Sequence, residues 1–99
     1  MKAKAEQRFI KRSRIEIMES ILRSSYNGSR KTRLIYGCNL SLSQFNKYSE
    51  YLIEGGLLTK NRNEDHAEVY QITKKGIEFL NDYKKISKVL DALKLSPND

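Results

Sequence analysis

No tryptophan, one cysteine and one histidine occur among 99 residues, so the chemistry open to the chain is narrow. Cys38 has no second cysteine to pair with, which rules out an intramolecular disulfide and suits a reducing cytoplasm. Without a second thiol or a nearby imidazole it also lacks the company a metal site needs, and it reads as a small buried thiol. His66 lies in an apparent polar loop and reads as solvated, not catalytic. Gly55-Gly56 is not followed by Lys-Ser or Lys-Thr, so no phosphate-cradling loop is present. No apolar run approaches the ~20 residues of a membrane span. The basic N-terminus has no apolar segment of the kind that marks a secretion signal. The carboxylates are scattered, mostly near basic residues, and form no acid–base pair. The expectation is a soluble, cytoplasmic non-enzyme with no cofactor, no metal, no small-molecule ligand and no membrane partner.

Positive charge, by contrast, is abundant and unevenly placed. The formal net charge is +7, with a pI near 9.6. Residues 1–33 hold ten lysines and arginines against Glu6, Glu16 and Glu19, whereas residues 34–99 hold nine basic and nine acidic residues. A one-sided basic end is the footprint of a polyanion-binding surface or of a solvated tail. Arg30, Lys31 and Arg33 stand at an expected helix start, not in the tail, which favours the first reading.

Residues 1–12 lack apolar periodicity and read as a basic flexible arm. From about Ser13 to Ser25, Ile15, Ile17, Met18, Ile21 and Leu22 mark one helix face, and Asn27-Gly28-Ser29 stops it. A short helix over Lys31 to Tyr36 turns Leu34 and Ile35 inward, and Gly37 closes it. Asn39 and Leu40 form a turn. Ser41 then caps a helix to about Glu54, with Gln44 completing a Ser-x-x-Gln capping box. Phe45, Tyr48, Leu52 and Ile53 form its inner stripe. Ser43, Gln44, Asn46, Lys47 and Glu50 face outward. Two helices joined by so short a turn predict a helix-turn-helix.

Leu57-Leu58-Thr59-Lys60 reads as a strand, Asn61 to His66 as a loop, and Glu68 to Ile72 as a returning strand. Three helices followed by a hairpin predict a winged helix, mainly α with a small β component. Thr73 caps a last helix from about Lys74 to Leu95, ended by Ser96-Pro97. Phe79, Tyr83, Ile86, Leu90 and Leu93 recur along it at heptad spacing, widened by Leu80 and Val89. The far half of this seam outruns so small a core, so the expected partner is a second copy, paired through Phe79, Tyr83, Ile86, Val89, Leu90 and Leu93. The expected organisation is an arm (1–12), a winged-helix domain (13–76), a dimerisation helix (77–95) and a tail (96–99).

The expected ligand is double-stranded DNA. Arg12, Arg14, Arg30, Lys31 and Arg33 would grip phosphates. Ser43, Gln44, Asn46 and Lys47 would enter or cross the major groove, and Lys60 and Arg62 would serve from the wing. Tyr51 is a weaker candidate, while Tyr36, Tyr48, Tyr70 and Tyr83 are assigned to the core or the dimer seam.

Three blocks, RSRIEIMESIL (Arg12 to Leu22), KTRLIYGCNLS (Lys31 to Ser41) and ITKKGIEFL (Ile72 to Leu80), together resemble the ten-kilodalton dimeric winged-helix chromatin proteins of Crenarchaeota. The resemblance extends over roughly residues 12–95, and the middle block is its most specific part. It implies an antiparallel coiled coil of C-terminal helices with a DNA-binding domain at each end. It also implies sequence-tolerant binding that bridges or compacts DNA in the nucleoid. Two departures stand out: the hairpin tip Asn63-Glu64-Asp65-His66 is acidic, and the coiled-coil segment is short. A sequence-specific transcription regulator and a protein-interaction winged helix remain the alternatives.

Overall fold

In the computed structural model, which describes residues 13–93, the chain enters its first helix through a reciprocal cap. The Ser13 hydroxyl accepts from the Glu16 amide at 3.2 Å, and the Glu16 carboxylate accepts from the Ser13 amide at 3.4 Å. Helix α1 (Arg14–Ser24) buries Ile17, Ile21 and Leu22. Its end is tied down by the buried Ser25, whose hydroxyl donates to the Ile21 carbonyl at 2.6 Å. The chain then turns at Gly28 with φ +85°, where a Cβ would come within 2.9 Å of Gln71 Oε1. The arm, with Arg12, and the tail lie outside the described residues, as does Leu95.

Helix α2 (Lys31–Gly37) and helix α3 (Leu42–Glu54) follow, joined by Cys38 to Ser41. Leu34, Cys38 and Leu40 are buried at this joint, and Asn39 takes φ +56° to make the bend. The thiol of Cys38 lies 3.6 Å from the Ser24 hydroxyl, so it ties the turn back to α1 as a buried group. Phe45, Tyr48 and Leu52 give α3 its expected inner stripe, with Ser49 added to it, and Ile53 is half-buried. Gly56 at φ +79° ends the helix.

Strands β1 (Leu58–Arg62) and β2 (Glu68–Ile72) pair antiparallel, Leu58 opposite Ile72 and Arg62 opposite Glu68. β1 thus begins one residue later than Leu57 and carries Asn61 and Arg62, which the sequence places in the loop. The reason is local: the Asn63 side chain accepts from the amides of Asp65 and Ala67 at 2.9 and 3.0 Å, which folds the turn after Arg62. The hairpin also gains a partner that sequence patterning does not reveal. Ser29, in the α1–α2 connection, exchanges two backbone hydrogen bonds with Tyr70, of 2.9 and 2.8 Å. One edge of the hairpin is therefore pinned to the three-helix unit.

Helix α4 (Lys74–Ala92) is continuous, so the winged domain and the proposed pairing segment share one rod. Thr73 caps it, accepting from the Gly76 amide at 3.0 Å and donating to the Gly56 carbonyl at 2.7 Å. The rod meets the hairpin at Gly76, where a Cβ would lie 2.4 Å from the Leu57 carbonyl oxygen and 2.6 Å from Ile72 Cγ1. Only glycine permits that approach. Its helical conformation ends at Ala92, with Leu93 as C-cap, short of the Leu95 expected from the sequence. Among the described residues no helix is long and apolar enough to cross a membrane.

Candidate nucleic-acid interface

The exposed sides of α2 and α3 bring together most of the residues singled out from sequence. Arg30 is the N-cap residue of α2, exposed, with its side chain making no capping hydrogen bond. Arg33 is exposed one turn later. Lys31 is half-buried, and its ammonium stands 6.0 Å from the centroid of the Phe45 ring, so it is held against the start of α3. On α3, Ser43, Gln44, Asn46 and Lys47 are all exposed. The Lys47 ammonium lies 5.4 Å from the Tyr48 ring. Arg14, exposed at the start of α1, lies on a separate helix.

Gln44 has less freedom than its exposure suggests. Its Oε1 accepts from the Ser41 amide at 3.0 Å, while the Ser41 hydroxyl accepts from the Gln44 amide at 3.0 Å. The carboxamide oxygen is thereby engaged in capping, and the outward-facing function left to the side chain is donation. A paired donor–acceptor match to an adenine edge needs both, so the cap draws Gln44 away from base reading. Asn46 carries no such commitment in the hydrogen bonding of α3.

The C-terminal half of α3 carries the opposite sign. Glu50 and Glu54 are exposed there, beside Tyr51, whose ring stands edge-on to Tyr48 at 6.0 Å. Positive charge on α3 is therefore confined to its first two turns. The wing is not a strong cation either. Lys60 and Arg62 both lie 4.0 Å from the Glu68 carboxylate, and Arg62 donates to the His66 carbonyl at 2.8 Å. Such exposed pairs stabilise little, but with Glu64 and Asp65 at the tip the hairpin's acids outnumber its cations. Lys60 and Arg62 thus stand apart from the α2–α3 cluster in electrostatic setting as well as in position.

One assignment is corrected. Tyr36 belongs neither to the core nor to a seam on α4; it is 83% exposed at the end of α2. Leu34 and Cys38, one turn apart, take the inner side of this short helix, and Tyr36, two residues from each, is rotated ~200° from them. Leu42, the first residue of α3, was not singled out from sequence, yet it is 54% exposed. It follows the capping serine directly and falls outside the Phe45–Tyr48–Leu52 stripe, which is the signal that could have found it. Tyr48 and Tyr70 are buried as expected, Tyr70 edge-on to Phe45 at 5.2 Å. Burial, reinforced by Glu68, raises the Tyr70 pKa, so its phenol stays neutral in the physiological range.

On α4, the first apolar residues face home. Ile77, Phe79 and Leu80 pack against the domain's own core, and Phe79 stacks on Tyr83 at 6.4 Å. Tyr83 lines a groove of about 410 Å³ with Glu19 and Arg23 of α1 and Lys84 of α4. Burial there, with Glu16, Glu19 and Asp91 nearby and Arg23 opposing, raises its pKa. Beyond it, Ile86, Val89 and Leu93 are 56%, 58% and 63% exposed, spaced three and four residues apart, and Leu90 is half-buried. Among the described residues no group of three or more His, Cys, Asp or Glu side chains is placed to hold a metal ion.

The fold, the tight α2–α3 joint and the pinned hairpin coincide with a match to the winged helix-turn-helix family over residues 11–91. The chain belongs to that family. Among solved structures, this winged helix is similar to Sso10a-2, a DNA-binding protein from Sulfolobus solfataricus. The identity is 30% and the TM-score 0.73, over 84% of this chain and 86% of that one. It also resembles an uncharacterized protein of Methanocaldococcus jannaschii, 29% identical over 90 residues, spanning 90% of this chain and 88% of the relative. The mainly helical winged fold expected from sequence is thus observed.

Proposed function

We propose that this winged helix binds double-stranded DNA with little sequence preference, as an architectural protein that bridges or compacts DNA as a homodimer. The observation that carries the reading is the surface of α2 and the first two turns of α3. Arg30, Lys31, Arg33 and Lys47 flank Ser43 and Asn46 there, with no acidic residue in the first turn of either helix. Similarity to a protein described as DNA-binding supports it. In this reading the four cations neutralise phosphates and hold α3 over the major groove, while the wing contributes little. Arg14, exposed on α1, adds a phosphate contact outside the helix-turn-helix, and Arg12, which lies outside the described residues, is proposed for the same role. Tolerance of sequence follows from the contact chemistry, because phosphate contacts position a protein without reading bases.

The test is binding to a random-sequence duplex across a salt series, with duplex RNA titrated in parallel. Four phosphate contacts per domain give a slope of log affinity against log salt of about −3.6, and contacts from the arm steepen it. The deep, narrow groove of A-form RNA excludes a helix, so DNA is expected to bind more tightly. Absence of binding at low salt would sink the reading and leave a regulator dependent on its own operator, or a protein-interaction module.

Pairing through α4 accounts for the exposed Ile86, Val89 and Leu93. Phe79 and Tyr83 are committed in part to their own domain, which concentrates the seam in the distal half, with Leu90. Ile86→Glu combined with Val89→Glu, both at exposed positions, is expected to leave the circular dichroism spectrum unchanged while converting dimer to monomer in sedimentation. Bridging of two duplexes should then fail, although one duplex is still bound. A wild-type chain that sediments as a monomer at micromolar concentration would rule out this pairing.

A further inference from the structure

Leu42 is an apolar part of the exposed first turn of α3 that phosphate binding does not use. Exposed leucines are common and need no explanation when isolated, but this one is not isolated. It opens α3, four residues before Asn46, while Ser43 lies four residues before Lys47, so the four side chains cover two successive turns of one exposed side. The capping box engages the Ser41 hydroxyl and the Gln44 carboxamide oxygen with backbone at 3.0 Å, which leaves Gln44 only its donor end. What the first turn of α3 offers outward is then the isobutyl group of Leu42, the Ser43 hydroxyl and that amide donor. Arg30, Lys31 and Arg33 precede it on α2 and Lys47 follows it on α3, and in the DNA-binding reading these cations meet phosphates.

An apolar side chain on a helix in the major groove has a matching partner among the base edges. In the major groove the only apolar group presented by a base pair is the C5 methyl of thymine. Asn46, on the same flank one turn later, carries the donor and acceptor that match the edge of adenine. We propose that Leu42 packs on the C5 methyl group of pyrimidines in the major groove, and so tilts an otherwise tolerant contact toward thymine. The proposal rests on the DNA-binding reading above and adds to it a named specificity-determining residue. It is compatible with weak overall preference, because one buried methyl changes affinity by roughly fourfold.

The test compares wild-type protein and Leu42→Ala on duplexes differing only in the pyrimidine C5 group. One A·T-rich duplex is made with thymine or with deoxyuracil, and one G·C-rich duplex with cytosine or 5-methylcytosine. Uracil keeps the adenine edge and removes the methyl, so Asn46 is unaffected by the exchange. Wild-type affinity is expected to fall roughly fourfold per contacted methyl on uracil DNA and to rise by a similar factor on 5-methylcytosine DNA. Leu42→Ala, at an exposed position and checked by circular dichroism, is expected to bind both members of each pair equally. Asn46→Ala is expected to retain the methyl dependence. Equal wild-type binding to thymine and uracil duplexes would overturn the proposal and leave DNA binding intact. Methyl dependence that persists in Leu42→Ala would overturn it as well, by assigning the effect to another residue or to the DNA. Failure to bind any duplex would remove the underlying reading along with it.

Discussion

Arg30→Glu combined with Arg33→Glu is expected to weaken binding to random duplex DNA by on the order of 100-fold near 0.1 M salt. Both side chains are exposed at the start of α2, so the double variant should keep the wild-type melting temperature. Two phosphate contacts are lost, and two carboxylates are placed against the backbone instead. The slope of log affinity against log salt should become shallower by about 2, since each contact contributes about one unit. The control has the same net charge: Lys74→Glu with Lys85→Glu, both exposed on α4 and outside α2 and α3. Those reversals should cost far less and leave the slope nearly unchanged. Equal losses from the two pairs would mean that mean charge drives binding, and that α2 and α3 are not the DNA-facing surface. Lys31 is left in place because its half-buried stem and ring contact would mix a folding effect with the charge effect.

What the sequence disclosed about this surface was what short-range patterning can disclose. The capping box of Ser41 and Gln44 depends on residues three apart, so the start of α3 was legible. The stripe of Phe45, Tyr48 and Leu52 has enough turns to define a face, and the outward residues followed from it. The seven residues of α2 complete barely two turns, too few to fix a phase, and there Tyr36 was misplaced. Leu42 escaped notice for a related reason. A leucine beside a core stripe is read as core unless the angle is drawn, and the angle places it on the flank.

Nonlocal contacts were the second gap. Nothing near Ser29 announces that it will pair with Tyr70, forty-one residues away, yet that bridge sets the hairpin against the helices. The glycine of the ITKKGIEFL block carried no reason in sequence; the 2.4 Å approach to the Leu57 carbonyl supplies one. The wing shows the same limit in electrostatic form. Lys60 and Arg62 read as free cations because Glu68 lies across the hairpin, paired to Arg62 by register and not by proximity in sequence.

Phe45→Ala is expected to have the largest effect on stability, because this ring joins the two parts that the site depends on. Phe45 is fully buried on α3, stands edge-on to Tyr70 of β2, and lies beneath the Lys31 ammonium of α2. Truncating such a side chain removes transfer free energy and leaves a cavity, at a cost of about 3–5 kcal/mol. A small domain has roughly 5–15 kcal/mol in total, so the variant should sit close to its unfolding threshold. At about 4–8 °C per kcal/mol the melting temperature should drop by roughly 20 °C. Phe45→Leu retains most of the apolar volume and should cost much less, so the pair separates cavity formation from loss of the aromatic contacts. The cation over the ring is worth little by comparison, about 0.5–1 kcal/mol at such sites. The functional consequence follows the fold. Where Phe45→Ala is still folded, its DNA affinity should match wild type, because Phe45 itself is hidden from the ligand. Affinity that falls in the fully folded variant would show that the ring also positions the parts of the site it touches, the Lys31 ammonium above it or α3 against the wing.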